Sequence, residues 1–221
     1  MAVYTIAGIS MEIDPKTDFS KHLLRDFLTP DAAPVVQITP CPGEAEEIGL
    51  LRRVGLELLQ NHDGMYIHGA VVLYKGLAYL FTATSGTGKS THVQLWKQLL
   101  GDRVRILNGD KPLLRRINGR IMVCGSPWRG KEGWGENTDA PLGGIFVLRR
   151  STADRVEQLS DLEILDELLC ATIYPEDPEL TQKLLELIGH IMESVPVRAL
   201  YCTPNLSAAQ TAVRFIEGDE A

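Results

Sequence analysis

The sequence predicts a mixed-sheet α/β domain, and three observations carry that expectation. An apolar strand runs into a glycine-rich loop and out again into a helix across residues 66–100. Other strands and tight hairpins alternate irregularly with amphipathic helices, instead of repeating as regular βαβ units. The composition is that of an ordinary globular chain: 221 residues, 44% hydrophobic and 23% charged, enough for one domain with a sizeable core. The expected organisation is a single domain over 1–221, with residues 1–60 as a strand and helix extension packed on a core of 61–217.

Taken in order, residues 2–13 read as a strand, because Val3, Thr5, Ala7 and Ile9 alternate with Tyr4, Ile6 and Gly8. Residues 14–43 carry five prolines and predict irregular connections around short elements. Within them Phe19, Leu23, Leu24, Phe27 and Leu28 mark one face of a short helix. Residues 44–60 open with acids where the helix dipole favours them and read as helix. Gly49 and Gly55 leave a strand open as the alternative. The sequence from Asn61 to Gly64 signals a turn. MYIHGAVVLY and LAYLFTA then form a hairpin turning at Lys75-Gly76. A helix over 89–100 stops at Gly101-Asp102 and the strand VRILNGD follows. A second hairpin turns at Asn118-Gly119, and residues 126–144 form a long glycine-rich loop of functional character. GGIFVLRR returns as a buried strand. Helices follow at 160–173 and 178–194, then the strand VPVRALY and a last helix with Asn205 as N-cap.

The loop carries the clearest chemistry. Ala83 to Ser90 fits the phosphate-binding pattern G-x-x-x-x-G-K-[ST], with alanine in the first place. Such a loop (a P-loop, or Walker A motif) would make this a mixed-sheet P-loop domain. Gly86 and Gly88 let the backbone approach an anion closely. Ser85, Thr87 and Thr91 complete the cradle, whose N–H groups and helix N-terminus face phosphates. Lys89 reaches the β/γ-phosphates and the Ser90 hydroxyl reaches Mg²⁺. Asp110 ends the next strand, where a phosphoryl-transfer enzyme keeps a metal-binding carboxylate. His68 lies in an apolar strand, where a histidine is either a core group or a titrating one. Arg129, Lys131 and Glu132 in the long loop, and Arg198 in the late strand, are either solvated ion-pair partners or, for the arginines, stabilisers of transition-state charge.

Charge and cysteines narrow the setting. A net charge of −7 argues against a nucleic-acid partner. The four scattered cysteines lack metal spacing and read as reduced thiols of a cytoplasmic protein. The first residues lack a signal-peptide pattern, and no apolar run has the length of a membrane span.

Four blocks in order give a family resemblance: IHGAVVLYKGLAYLFTATSGTGKST, RILNGD, PWRGKEGWGENTDAPLGGIFVL and VPVRALYCTPNLSAAQTAV. Together they resemble the HPr serine kinase superfamily, which shares a nucleotide-binding core with phosphoenolpyruvate carboxykinases. The resemblance implies ATP and Mg²⁺, and transfer of the γ-phosphate to a hydroxyl, foremost a serine of a peptide or small protein, with a homo-oligomer possible. It matches His68 to the family's active-site histidine, Gly86, Gly88, Lys89 and Ser90 to its phosphate loop, and Asp110 to the second of its paired acids. Arg129 and Arg198 match the family's two loop and strand arginines. The sequence departs from the family pattern at Gly109, where the first of two acids stands, at Thr91 in place of a glutamate, and in lacking the second arginine after Arg198. If position 109 faces the metal, restoring an acid there should be tolerated. Two other readings stay open: a nucleotide-binding regulatory module with little turnover, and a small-molecule kinase (free serine) or carboxykinase-type enzyme.

Overall fold

The computed structural model describes residues 1–218. The N-terminal part holds β1 (Ala2–Ile6), β2 (Ile9–Ile13), α1 (Asp18–Leu24), β3 (Val36–Ile38) and α2 (Glu46–Asn61). Then come β4 (Gly64–Tyr66), β5 (Gly69–Tyr74), β6 (Leu77–Thr82), α3 (Lys89–Leu100) and β7 (Val104–Asn108). β8 (Leu113–Ile117), β9 (Arg120–Cys124), β10 (Asp139–Arg150) and β11 (Arg155–Gln158) follow. The chain ends with α4 (Asp161–Cys170), α5 (Pro178–Ser194), β12 (Val197–Cys202) and α6 (Leu206–Glu217).

Among the described residues, nine strands join into one curled, mixed sheet, and β10 is its hinge. The first residues of β10 pair antiparallel with β9, continuing the meander β4-β8-β9. Past an irregularity at Leu142–Gly144, the rest of β10 pairs parallel with both β6 and β12. Antiparallel β5 and β7 extend that second half on one side, and β11 on the other.

Alternation along the strands feeds two cores. Tyr79, Phe81, Phe146 and Leu148 face α3 and α6, packing with Trp96 and Ala209. Ala78, Leu80, Ile145 and Val147 face the other way, against Leu168 of α4 and Leu187 and Ile191 of α5. This period-2 division is what a sheet covered on both faces requires. A third core joins the small sheet β1-β2-β3, α1 and α2 to Leu113, Cys124 and Trp128 of the main body. Arg115 Nη1 and Trp128 Nε1 tie that junction by donating to the carbonyls of Ala7 at 2.7 Å and Glu47 at 2.9 Å.

Local signals and outcome agree at both hairpins, where Lys75-Gly76 and Asn118-Gly119 take the paired positive φ values of a type I′ turn. The alternative at 44–60 resolves to helix. Other expectations need correcting. Residues 2–13 are a hairpin rather than one strand, turning at Ala7-Gly8 with φ of 51° and 76°. The run MYIHGAVVLY is divided at Ile67-His68, where the chain leaves β8 and joins β6. α4 stops at Cys170, whereas Asn205 does stand at the N-cap of α6, without a side-chain capping bond. The strands β3 and β11 had no sequence expectation.

Candidate functional site

Residues 83–88 link the end of β6 to α3, and both loop glycines hold conformations that other residues resist: φ is +79° at Gly86 and +122° at Gly88. α3 begins at Lys89 with no side-chain cap and no acid in its first turn, so its first N–H groups keep their bonding capacity. The loop and helix start border a cleft of about 630 Å³. Ser85, Gly86, Gly88, Lys89, Ser90 and Thr91 line one side, and His68, Gly109, Asp110 and Glu132 the other. Lys89 is largely buried, and its Nζ donates to the Ala83 carbonyl at 2.9 Å. Burial lowers its pKa, with the nearby Asp110 charge opposing that shift.

Asp110 and His68 meet because their backbones are paired. The N–H of Gly69 donates to the Asp110 carbonyl at 2.8 Å, and that of Ile67 to the Pro112 carbonyl at 3.1 Å. This brings His68 Nε2 to 3.2 Å from one Asp110 oxygen, while Lys111 Nζ lies 2.7 Å from the other. Burial alone would raise the Asp110 pKa, but these two hydrogen bonds outweigh it and hold the carboxyl down at about 2. Asn108, fully buried, shapes the turn beneath. Its Oδ1 accepts from the N–H groups of Asp110 and Lys111, both at 2.9 Å, and its Nδ2 donates to Ser126 Oγ at 3.0 Å. Asn108 and Ser126 were not singled out from the sequence. Only the asparagine of N-G-D, a residue type that bonds its own turn, offered a signal.

Gly109 lacks a side chain for a steric reason. A Cβ there would lie 2.8 Å from the Arg129 carbonyl and 3.2 Å from that of Trp134. The expectation that an acid at 109 would be tolerated is therefore corrected: the backbone of the 129–134 loop closes that direction.

Not every candidate reaches the cleft. Thr87 turns to a second cavity of about 410 Å³ on the far side of the loop, lined also by Gly88, His92, Arg150, Cys202 and Thr203. Arg150 holds the loop's outer edge by donating to the carbonyls of Gly86 and Thr87. His92 Nε2 accepts from Trp96 Nε1 at 3.0 Å, which leaves the proton on an Nδ1 without a partner. Burial lowers the His92 pKa to about 4, so the ring is neutral near pH 7. The structure does not bring Arg129 into the cleft: it pairs with Asp26 at 2.7 Å over the ring of Phe27. Nor does it bring Arg198 there, whose Nη1 donates to the Val197 carbonyl at 2.9 Å and whose guanidinium lies over Phe215.

No family model matches the chain, and no curated protein matches it. Among solved structures, it is similar to the HPr(Ser) kinase/phosphatase from Coxiella burnetii at 11% identity and a TM-score of 0.37, over 71% of this chain and 99% of that one. This is a distant, partial likeness, from which nothing about activity follows. Among the described residues, no helix is long and apolar enough to cross a membrane.

Proposed function

We propose that the cleft binds ATP with Mg²⁺ and transfers the γ-phosphoryl group to a hydroxyl, foremost a serine of a peptide or small protein. One observation carries the reading: a glycine loop, an uncapped helix start, a buried lysine and a carboxylate converge on a single cleft. Each part has a task in phosphoryl transfer, which depends on positioning and charge stabilisation more than on covalent steps. Residues 85–91 act as a P-loop, their N–H groups facing the phosphates. Lys89 exchanges the Ala83 carbonyl for phosphate oxygens, so the ammonium keeps a partner in both states. The second cavity, against the same loop, suits the nucleoside.

The donor set fits Mg²⁺. Ser90 and Asp110 offer hard oxygens. Among the described residues no group of three or more His, Cys, Asp or Glu side chains could hold a metal alone. A cation here would therefore draw its remaining ligands from phosphates and water, as Mg²⁺ characteristically does. When bound, it neutralises charge on the transferring group. His68 and Lys111 hold the Asp110 carboxylate ionised and fixed in orientation.

Incubation with γ-labelled ATP, Mg²⁺ and a pool of serine-containing peptides and free serine, read by mass shift, tests the proposal. Label on a serine oxygen supports it, and tight ATP binding with no transfer to any acceptor counts against it. That second outcome would favour a nucleotide-binding regulatory module with little turnover, a reading supported by the absence of an acid at Gly109.

A further inference from the structure

The cleft contains a second carboxylate, and it comes from the loop that closes off position 109. Glu132 lines the cleft together with Lys89, Ser90 and Asp110. Its side chain is 23% exposed, and its nearest cation is Lys131 Nζ at 3.9 Å, beyond hydrogen-bond distance. No hydrogen bond restrains its oxygens among the described residues, whereas both Asp110 oxygens are engaged, by His68 and Lys111. The two acids flank one point. A Cβ at Gly130 would lie 3.0 Å from Asp110 Cβ and 3.7 Å from Glu132 Oε2. The same loop supplies the Arg129 and Trp134 carbonyls that fill the space beside Gly109. Backbone thus occupies the place of one acid while the loop delivers another to the same cleft.

We infer that Glu132 is the general base that takes the proton of the acceptor hydroxyl, an inference that rests on the phosphotransfer reading above. The acceptor O–H bond breaks and its proton passes to the Glu132 carboxylate. The acceptor oxygen forms the new bond to the γ-phosphorus, and the bond from that phosphorus to the β–γ bridging oxygen breaks, releasing ADP. Glu132 suits this task better than Asp110 because a base must be free to accept a hydrogen bond from the reacting hydroxyl.

The test uses the full chain, γ-labelled ATP·Mg²⁺ and the serine-peptide pool, with ATP affinity measured separately by calorimetry. Glu132→Gln should lower kcat by about 10²–10⁴-fold and leave the Kd for ATP within about twofold. Glu132→Asp should recover part of the rate, which a merely structural role would not produce. A Glu132→Gln protein with kcat within about twofold of wild type overturns the inference and leaves the phosphotransfer reading standing. Equal loss of ATP affinity and rate also overturns it, by assigning Glu132 to nucleotide binding. A wild-type protein that fails to bind ATP overturns the phosphotransfer reading itself.

Discussion

Two glycine-bearing loops border the cleft, and Gly109 and Gly125 of the second serve the opposite purpose to Gly86 and Gly88 of the first. In the 83–88 loop, a Cβ at Gly86 or Gly88 would meet nothing within 4 Å, and both residues hold positive φ. In the segments that pack together at 109 and 125–135, Gly130 and Gly133 also hold positive φ, but the φ of Gly109 and Gly125 lies outside that region and a Cβ there would collide with backbone. At Gly125 it would lie 1.9 Å from the Glu136 carbonyl oxygen. The first loop keeps glycine to leave room and turn N–H groups outward. At Gly109 and Gly125 the second keeps it to bring backbone against backbone. One leaves open space beside the cleft, the other is a closed wall beside Asp110 and Glu132.

The largest expected effect falls where the two loops face each other. On the proposed reading, Asp110→Asn should lower kcat by about 10³-fold or more, since the negative charge offered to the metal and to His68 and Lys111 is lost, while free-nucleotide affinity changes little. Near-normal turnover in a folded Asp110→Asn protein would place the essential acid elsewhere. Next comes the wall. Gly125→Ala should destabilise the fold by about 3 kcal/mol or more, as overpacking against rigid backbone does, readable as a drop in the denaturant midpoint. Gly88→Ala should cost only about 1–2 kcal/mol of backbone strain, with its main effect on ATP affinity. Equal stability losses at Gly125 and Gly88 would erase the contrast.

Gly109→Asp gives a finer version of the same test. Against the Arg129 and Trp134 carbonyls it should cost about 2 kcal/mol and reduce activity rather than restore it. A stable, more active Gly109→Asp enzyme would mean that the wall yields. A further effect concerns pH. Asp110 has its carboxyl lowered from 3.8 to about 2 in the folded protein. A depressed acid stabilises the fold above its unfolded pKa and loses that contribution as pH falls through the folded value. The contribution is roughly 2 kcal/mol, lost between about pH 5 and pH 2. Acid unfolding of Asp110→Asn should lack this component. Identical acid profiles for the two proteins would show that His68 and Lys111 do not hold the carboxylate as described.

The contrast between the loops also explains what was legible in the sequence. The 83–88 loop is local: strand, loop and helix are contiguous, so residue types at fixed spacing announce it. The hairpins at Lys75-Gly76 and Asn118-Gly119 are legible for the same reason. The wall is built from residues far apart in the chain. Asn108 meets Ser126, Gly109 meets Trp134, and Arg129 pairs with Asp26 across more than a hundred residues. No periodicity encodes those contacts. Arg129 has the residue type and loop that suit a phosphoryl group, yet Asp26 and Phe27 of the N-terminal extension hold it outside the cleft. His68 was ambiguous between core and site, because its role depends on which strand the chain joins at Ile67-His68.

The most direct test of the cleft as a nucleotide site is calorimetric titration of ATP·Mg²⁺ into wild-type protein and Lys89→Ala, with folding checked by circular dichroism. Losing one charge-assisted contact of about 1.5–3 kcal/mol should weaken ATP binding about 10- to 100-fold while the fold is retained. Undiminished affinity in a folded Lys89→Ala protein would contradict the assignment of the 83–90 loop to phosphate.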